Sequence, residues 1–124
     1  MVSNLKALIA DDEASFREIF KERLRLLFPS MIIYEAAEGN EAFRIVGILK
    51  PELVFMDIGL PGENGIQLTR RIKIKYPKTR IIFITGHDCL EYREAAFQAG
   101  GNGYLLKQSL DYVQINKLVT SLFE

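Results

Sequence analysis

The feature that most constrains the fold is a regular exchange between two hydrophobic periods along the chain. Short apolar runs bounded by polar residues alternate five times with longer segments whose apolar residues recur at steps of three and four. The short runs predict strands buried on both faces, and the longer segments predict helices. The repeated strand–helix order favours right-handed crossovers and a parallel sheet covered on both faces. We therefore predict an α/β fold with a doubly wound (βα)5 parallel five-stranded sheet.

The predicted strands are short, and each predicted helix has an identifiable end. The strands cover residues 5–10, 31–34, 53–56, 80–85 and 104–106. The first helix ends at Pro29, and Leu24 can cover a polar break at Arg23 in an apolar face traced by Phe16, Ile19, Phe20, Arg23 and Leu27. The other helices cover 42–49, 66–76, 90–99 and 111–123. Asp111 lies near the cap of the last helix, whose expected core contacts are Val113, Leu118 and Leu122.

Size and composition indicate one compact domain spanning residues 1–124. Of the 124 residues, 48% are apolar and 26% are charged, which is enough material for a single core without a stabilising metal or disulfide. Sixteen basic residues balance sixteen acidic ones, whereas a surface that grips nucleic acid usually has a basic excess. We therefore expect DNA contact only through an output domain outside this chain.

The compartment is predicted from what the sequence contains and lacks. The single cysteine, Cys89, cannot form an internal disulfide and fits a reducing environment. No apolar run approaches the roughly 18 residues that a membrane span requires. The first six residues lack the features of a signal peptide. These observations predict a cytoplasmic protein without membrane attachment.

Polar residues stand where the predicted strands end. The first strand ends in Asp11 and Asp12, the third in Asp57, and the fourth in Thr85, while Lys107 follows the fifth. In an open parallel sheet, ligands bind beyond the carboxyl ends of the strands, where the strand order reverses. Three carboxylates, a hydroxyl and an ammonium group are therefore expected at one edge of the sheet.

Each of these residues alone has a structural explanation, but the set favours chemistry. Asp11 and Asp12 could start the first helix, Thr85 could be a β-branched strand residue, and Lys107 could be solvated. Clustered carboxylates repel one another unless a cation neutralises them, and hard oxygen ligands suit Mg²⁺. An ammonium and a hydroxyl supply hydrogen-bond donors to a phosphoryl group. The constellation fits a carboxylate nucleophile that attacks phosphorus.

Four segments carry a resemblance to a known family. Leu-Ile-Ala-Asp-Asp-Glu (8–13), Phe-Met-Asp-Ile-Gly-Leu-Pro-Gly-Glu-Asn-Gly (55–65), Ile-Thr-Gly-His (84–87) and Gly-Tyr-Leu-Leu-Lys (103–107) closely resemble the receiver-domain motifs of two-component response regulators. The resemblance covers essentially the whole chain in the expected order. It implies a flavodoxin-like receiver fold and a phosphorylation switch that catalyses at most its own phosphotransfer and dephosphorylation. It also implies a sensor histidine kinase as partner.

The resemblance assigns a role to each matching position. Asp57 is implied as the phosphoacceptor, and Mg²⁺ as the cofactor. The implied metal ligands are Asp11, Asp12, Asp57 and the backbone carbonyl of Gly59. Lys107 and Thr85 would contact the phosphoryl group, and Tyr104 matches the switch aromatic whose ring turns inward. Packing of Tyr104 at a sheet edge is the structural alternative.

The sequence departs from the family pattern beside the active-site lysine. Gln108 stands where many members have proline after Lys107, so we expect a trans peptide bond there, since a non-proline cis bond costs about 2.5–4 kcal/mol. Gly59 and His87 occupy the two positions that often tune hydrolysis of the acyl phosphate. An imidazole could act on attacking water, although a loop histidine is more often simply solvated.

Two rival functions lack a feature that they need in this sequence, whereas the output of the regulator stays open. A phosphatase of the haloacid-dehalogenase type needs a second aspartate where Gly59 stands, and a flavodoxin-like electron carrier needs a phosphate loop in place of residues 11–15. The motifs look most like receivers attached to a helix-turn-helix domain that regulates transcription. A stand-alone receiver, or a pseudo-receiver that serves as a protein-interaction module, is the alternative. A homodimer is plausible for the family.

Overall fold

The structure, a computed structural model, describes residues 4–124; residues 1–3, with which the predicted domain begins, lie outside the described part. Five strands form one parallel sheet, and five helices connect and cover them. The elements in chain order are β1 (Lys6–Ala10), α1 (Ala14–Leu27), β2 (Ile32–Ala36), α2 (Gly39–Leu49), β3 (Leu53–Met56), α3 (Gly65–Lys75), β4 (Arg80–Thr85), α4 (Leu90–Gln98), β5 (Gly103–Leu106) and α5 (Tyr112–Phe123). The predicted doubly wound α/β fold is confirmed.

The strand order places a switch point beside β1. The order across the sheet is β2-β1-β3-β4-β5, so the chain leaves β1 in one direction to β2 and then returns past it to β3. Ala10 at the end of β1 pairs with Ala36 of β2 and with Met56 of β3. The residues that follow β1 and β3 therefore emerge side by side, at the position where ligands bind in sheets of this topology.

Alternate residues of the central strands build two cores, one on each face of the sheet. Leu8, Val54 and Phe83 face α2, α3 and α4, whose buried residues include Val46, Leu68, Ile72 and Ala96. Ile9, Phe55 and Ile82 face α1 and α5, whose buried residues are Phe20, Leu24, Ile115 and Val119. Both faces of a strand are apolar because both are covered, which explains the continuous apolar runs in the sequence.

One predicted core contact, Val113, is wrong, and Ile19 of the predicted apolar face of the first helix is also exposed. Val113 is 59% exposed and Ile19 is 54% exposed. In α5 the buried residues are Ile115 and Val119, and Val113 lies about 200° around the helix from Ile115, so it faces solvent. In α1, the buried pair is Phe20 and Leu24, so Leu24 covers the polar break as expected. Leu118 and Leu122 of α5 are partly buried against the core, in agreement with the prediction.

Within residues 4–124, none of the helices is long and apolar enough to cross a membrane.

Candidate functional site

Three carboxylates meet where β1 and β3 end. Asp11 follows β1 and is 2% exposed, Asp57 follows β3 and is 8% exposed, and Asp12 faces solvent. One carboxylate oxygen from each residue lies within 4.8 Å of the other two. The Asp11 N–H donates to the Ala36 carbonyl and the Asp57 N–H to the Ala10 carbonyl, both at 3.0 Å. The sheet therefore fixes the backbone of both buried carboxylates, and the predicted clustering of the three is present.

Lys107 reaches this cluster from the far side of the sheet. It follows β5 in a short 3₁₀ turn, Lys107–Ser109. Its Nζ lies 2.8 Å from Asp11 Oδ2, 2.9 Å from Glu13 Oε1 and 3.4 Å from Asp57 Oδ2. It also lies 4.6 Å from the centre of the Phe16 ring. One ammonium therefore contacts three carboxylates, at the place where the sequence predicts that Asp11, Asp57 and Lys107 converge.

The buried carboxylate of Asp11 has one partner for each oxygen. Its Oδ1 accepts a hydrogen bond from the Glu13 N–H at 2.9 Å. Its Oδ2 is paired with the Lys107 ammonium at 2.8 Å. Burial raises the pKa of Asp11 above its ordinary value, and the charge of Asp57 adds to that rise, although Lys107 opposes both.

Lys107 shows the complementary effect. Burial on its own would lower the pKa of Lys107, but the hydrogen bonds and charges of Asp11, Glu13 and Asp57 raise it above the ordinary lysine value. The lysine gains several negative neighbours, whereas Asp11 gains one positive neighbour and loses water. The site therefore holds more negative charge than its lysine balances, and its oxygen atoms are suited to a hard divalent cation.

The loop after β3 holds Asp57 from both sides. The Gly59 N–H donates to Asp57 Oδ1 at 3.4 Å, and a Cβ placed on Gly59 would stand 4.0 Å from Asp57 Oδ2. Gly65 begins α3, and its N–H donates to the Ile58 carbonyl at 2.9 Å. A Cβ on Gly65 would collide with the backbone oxygen of Asp57. The loop after β3 is thus closed against α3 and open toward solvent at Gly59.

The remaining predicted residues lie around the β4–α4 loop. Thr85 is fully buried at the end of β4, and its hydroxyl accepts from the His87 N–H at 3.4 Å. The Tyr104 ring is 8% exposed, and its hydroxyl donates to the His87 carbonyl at 2.7 Å. Burial raises the pKa of Tyr104 above its ordinary value. The exposed His87 ring packs against Tyr92, with ring centres 5.1 Å apart.

Two further details concern the Tyr104 ring and the Lys107–Gln108 bond. The guanidinium carbon of Arg93 lies 4.8 Å from the centre of the Tyr104 ring and covers its outer side. Tyr104 is therefore largely buried in this structure. The peptide bonds of residues 4–124 are all trans, including the bond between Lys107 and Gln108, which confirms the expectation drawn from the missing proline.

Sequence comparison places this geometry in a family. The family model described as the response regulator receiver domain matches residues 7–120, which include every residue of the site. The chain belongs to the response-regulator receiver family. A receiver domain is a regulatory phosphoacceptor domain, in agreement with the function class predicted from the motifs.

Curated relatives of the receiver domain include oxygen regulatory proteins. The protein named oxygen regulatory protein NreC from Staphylococcus haemolyticus is 35% identical over 108 residues, which is 86% of this chain and 50% of the relative. NreC from Staphylococcus aureus has the same identity over the same span. The receiver domain therefore spans about half the length of the curated relatives that it matches.

Solved structures agree with the fold in detail. A two-component response regulator of the LuxR family from Aurantimonas sp. SI85-9A1 superposes with a TM-score of 0.87 at 32% identity, covering 97% of this chain and 85% of that one. The signal receiver domain of the response regulator NarL from Mycobacterium tuberculosis gives a TM-score of 0.87 at 28% identity, covering 96% and 95%. A CheY-like receiver from Methanospirillum hungatei JF-1, at 24% identity and a TM-score of 0.86, supports the fold alone.

Sequence reasoning missed two charged residues of the receiver site. Glu13 shares Lys107 with the aspartates, and Lys107 lowers the pKa of Glu13. Arg17 of α1 donates from Nη1 to the Asp11 carbonyl at 2.6 Å and from Nε to Glu35 at 3.0 Å. The signal was available, because Glu13 extends the acidic pair by one residue and Arg17 lies one helical turn further along α1.

Proposed function

We propose that the chain is the phosphoacceptor half of a two-component regulator, in which Asp57 accepts a phosphoryl group from a partner histidine kinase in a Mg²⁺-dependent reaction. The observation that carries the proposal is the meeting of Asp57 with Asp11, Asp12 and Lys107 at the switch point of the sheet. Residues 1–124 would form one receiver unit.

The transfer step follows from the exposure and chemistry of Asp57. A carboxylate oxygen of Asp57 forms a bond to phosphorus as the bond between phosphorus and one imidazole nitrogen of the kinase phosphohistidine breaks. The imidazole leaves in its neutral form, because its other ring nitrogen carries a proton. The carboxylate is buried by the sheet but open on the side of Gly59, where no side chain blocks an approaching phosphoryl group. This opening supports Asp57 as the nucleophile.

The donor set fits Mg²⁺. Three carboxylate oxygens within 4.8 Å of one another, two of them from the buried residues Asp11 and Asp57, match the oxygen ligands that this ion prefers. We propose Asp11, Asp12, Asp57 and the carbonyl of Gly59 as its ligands. When bound, Mg²⁺ supplies neutralisation of the negative charges that phosphoryl transfer brings together.

Lys107 and Thr85 would receive the product. Lys107 lies 3.4 Å from Asp57 and is held more closely by Asp11 and Glu13. Its ammonium can shift to a phosphoryl oxygen while it remains paired with the aspartates. The Thr85 hydroxyl, which accepts from the His87 N–H, would turn to donate to the same group.

This rearrangement of Thr85 couples to Tyr104 through one peptide unit. The Thr85 hydroxyl accepts from the N–H of His87, and Tyr104 donates to the carbonyl of His87. Phosphorylation would raise the population of the inward Tyr104 arrangement, and a bias of a few kcal/mol is enough to change partner binding. Gly59 leaves the acyl phosphate open to water, whereas the packing of His87 on Tyr92 favours a structural role for that ring.

The output belongs to the proposal as well. Since the receiver spans half of the NreC relatives, we propose that it regulates transcription through an output domain that makes any DNA contact. Such a regulator acts in the cytoplasm, where its kinase partner presents the phosphoryl group, and a homodimer would place two output domains together.

Intact mass spectrometry after incubation with acetyl phosphate and Mg²⁺ tests this proposal. Wild type and Asp88→Asn, which alters an exposed loop carboxylate, should each gain one phosphoryl group, and Asp57→Asn should gain none. Chelation of Mg²⁺ should abolish the gain. A phosphorylated Asp57→Asn protein would refute the acceptor, and wild type that stays unmodified even with its cognate kinase would leave the protein-interaction module as the function.

A further inference from the structure

A pocket lies at the amino ends of the strands, opposite the carboxyl ends where Asp11, Asp12 and Asp57 meet. Its volume is about 350 Å³, and its lining comes from the end of α2, the start of β3 and the turn between α3 and β4: Val46, Lys50, Pro51, Glu52, Tyr76, Pro77, Lys78 and Thr79. The four residues of β3 separate the pocket from Asp57. At about 3.3 Å per residue, the distance between them is roughly 13 Å. We call it the basic pocket.

The walls of the basic pocket are apolar and preformed. Val46 and Pro51 are buried and held in place by the packing around them. The cavity that they line therefore exists without movement of either side chain. The Tyr76 ring packs 6.1 Å from Phe43, and a Cβ on Gly47 would stand 2.7 Å from the Tyr76 hydroxyl. Tyr76 is thus seated against α2 as a fixed wall. An apolar cavity of about 150 Å³ already holds a benzene ring, so the basic pocket has room for an aromatic side chain.

The rim of the pocket is positively charged in a chain with no net charge. Residues 66–80 contain six cationic residues and no carboxylate: Arg70, Arg71, Lys73, Lys75, Lys78 and Arg80. Lys50 and Lys78 line the pocket, and the Nζ of Lys75 lies 5.7 Å from the centre of the Tyr76 ring. Among residues 4–124, no carboxylate forms an ion pair with any of these three lysines.

The one acidic residue of the lining is already engaged. Glu52 Oε1 accepts a hydrogen bond from the backbone N–H of Lys6 at 2.9 Å, and this bond ties the start of β3 to β1. Its carboxylate therefore faces the sheet edge. The three lysines outnumber this carboxylate, so they present net positive charge to a ligand, while the cavity behind them is largely apolar.

We propose that the basic pocket docks an acidic segment of a protein partner that inserts an aromatic side chain. Charge complementarity requires an anionic ligand, and the apolar walls require an apolar anchor on that ligand. Nucleic acid would pair its phosphates with the lysines but leave the apolar walls without a partner. A membrane surface offers no single group for a concave site. An acidic peptide with an aromatic residue satisfies both requirements.

The test uses a defined probe on the whole chain. The peptide acetyl-Glu-Glu-Phe-Glu-Glu-amide is titrated into isotope-labelled protein, and amide chemical shifts are followed. Shifts should be saturable and should centre on Lys50, Tyr76 and Lys78. The peptide in which alanine replaces phenylalanine lacks the apolar anchor. Its dissociation constant should therefore be higher by about tenfold or more. Added salt should weaken both.

Matched variants separate docking from general charge. Lys75→Glu with Lys78→Glu should weaken binding by about tenfold or more, because two attractive charges become repulsive. Arg25→Glu with Lys117→Glu makes the same change in net charge at exposed sites on α1 and α5 and should bind as wild type does. Amide spectra of both variants report whether the fold is retained.

Each other outcome overturns the proposal. Absence of saturable shifts, or equal binding of the alanine peptide, excludes an anchored acidic segment. Competition by single-stranded DNA at lower concentration than the peptide would assign the surface to nucleic acid. Sedimentation that shows self-association of wild type, lost in Lys75→Glu with Lys78→Glu, would assign it to a second copy of this chain. None of these results depends on phosphorylation of Asp57.

Discussion

Each end of the sheet contains a half-buried lysine, and the surroundings shift the pKa values of the two lysines in opposite directions. At the carboxyl end, Lys107 contacts three carboxylates, which raise its pKa against the effect of burial. At the amino end, Lys73 donates to the Thr79 carbonyl and to Asn102 Oδ1, and burial together with the charge of Arg80 lowers its pKa. Lys107 is surrounded by excess negative charge, whereas the Lys73 ammonium donates to a carbonyl and an amide, which are neutral dipoles.

The difference separates the part of the molecule built for chemistry from the part built for stability. At the amino end, Asn102 Oδ1 also accepts from the Ile81 N–H at 2.9 Å, so the loop before β5 is tied to β4 by satisfied hydrogen bonds. At the carboxyl end, three carboxylates share the ammonium of Lys107, so negative charge remains in excess. Uncompensated buried charge costs stability, and a protein retains it where a ligand completes the site.

Lys107→Ala should produce the largest change in stability. Asp11 and Asp57 would be left without their cation, and loss of one partner from a buried ion pair costs roughly 3–5 kcal/mol. We expect a loss near the lower figure by urea denaturation without divalent ions, and partial recovery when Mg²⁺ is added. Lys117→Ala on exposed α5 is the control. Equal stability of Lys107→Ala and wild type without Mg²⁺ would mean that the carboxylates do not depend on Lys107.

Asn102→Ala should have an intermediate effect at the other end. It removes the acceptor of the Ile81 N–H and of Lys73, and an unsatisfied buried donor costs about 1–3 kcal/mol. The loss in urea denaturation should be the same with and without Mg²⁺, and phosphorylation by acetyl phosphate should proceed as in wild type. Asn102→Asp keeps an acceptor oxygen and should recover most of the stability. A strong Mg²⁺ dependence of the Asn102→Ala loss would contradict the separation of the two ends.

Glu35→Gln should have the smallest effect and a defined pH dependence. Hydrogen bonds from Lys21 and then Arg17 hold the pKa of Glu35 below its ordinary value of 4.5. A depressed pKa stabilises the folded state above pH 4.5, and that stabilisation is lost as the pH falls through the folded value. Because the pair is partly exposed, we expect a difference below about 1 kcal/mol at pH 7. Denaturation curves between pH 7 and pH 3 should converge; curves that diverge on acidification would reverse the sign.

Much of the architecture could be predicted because it depends on period and order. The apolar runs at 53–56 and 80–85 coincide with β3 and β4, and the convergence of Asp11, Asp57 and Lys107 follows from the parallel sheet. β2 runs two residues beyond its predicted end, because Ala36 pairs with Ala10 although Glu35 interrupts the apolar run. The prediction for Val113 is wrong because Ile115 and Val119 define the buried face of α5, and Val113 lies on the opposite side of the helix.

What could not be predicted depends on side-chain direction and on contacts between distant segments. The ion pair between Lys107 and Glu13 depends on the direction of both side chains, and the Lys107 ammonium also lies over the Phe16 ring. The Asn102 bridge joins residues 21 and 29 positions apart in the sequence, and no periodic pattern marks it. Such contacts are properties of the packed structure.

Gly65 limits the substitutions that this sequence can accept during evolution. Its backbone conformation is open to any residue, yet a side chain of any size would press on the carbonyl of Asp57. In a library of random substitutions screened for signalling, position 65 should therefore be as depleted of variants as position 57. Neighbouring Gly62, with φ +79 and an empty surrounding, should tolerate asparagine. The backbone of Asp57 thus imposes a second constrained position, which would take no part in the proposed reaction.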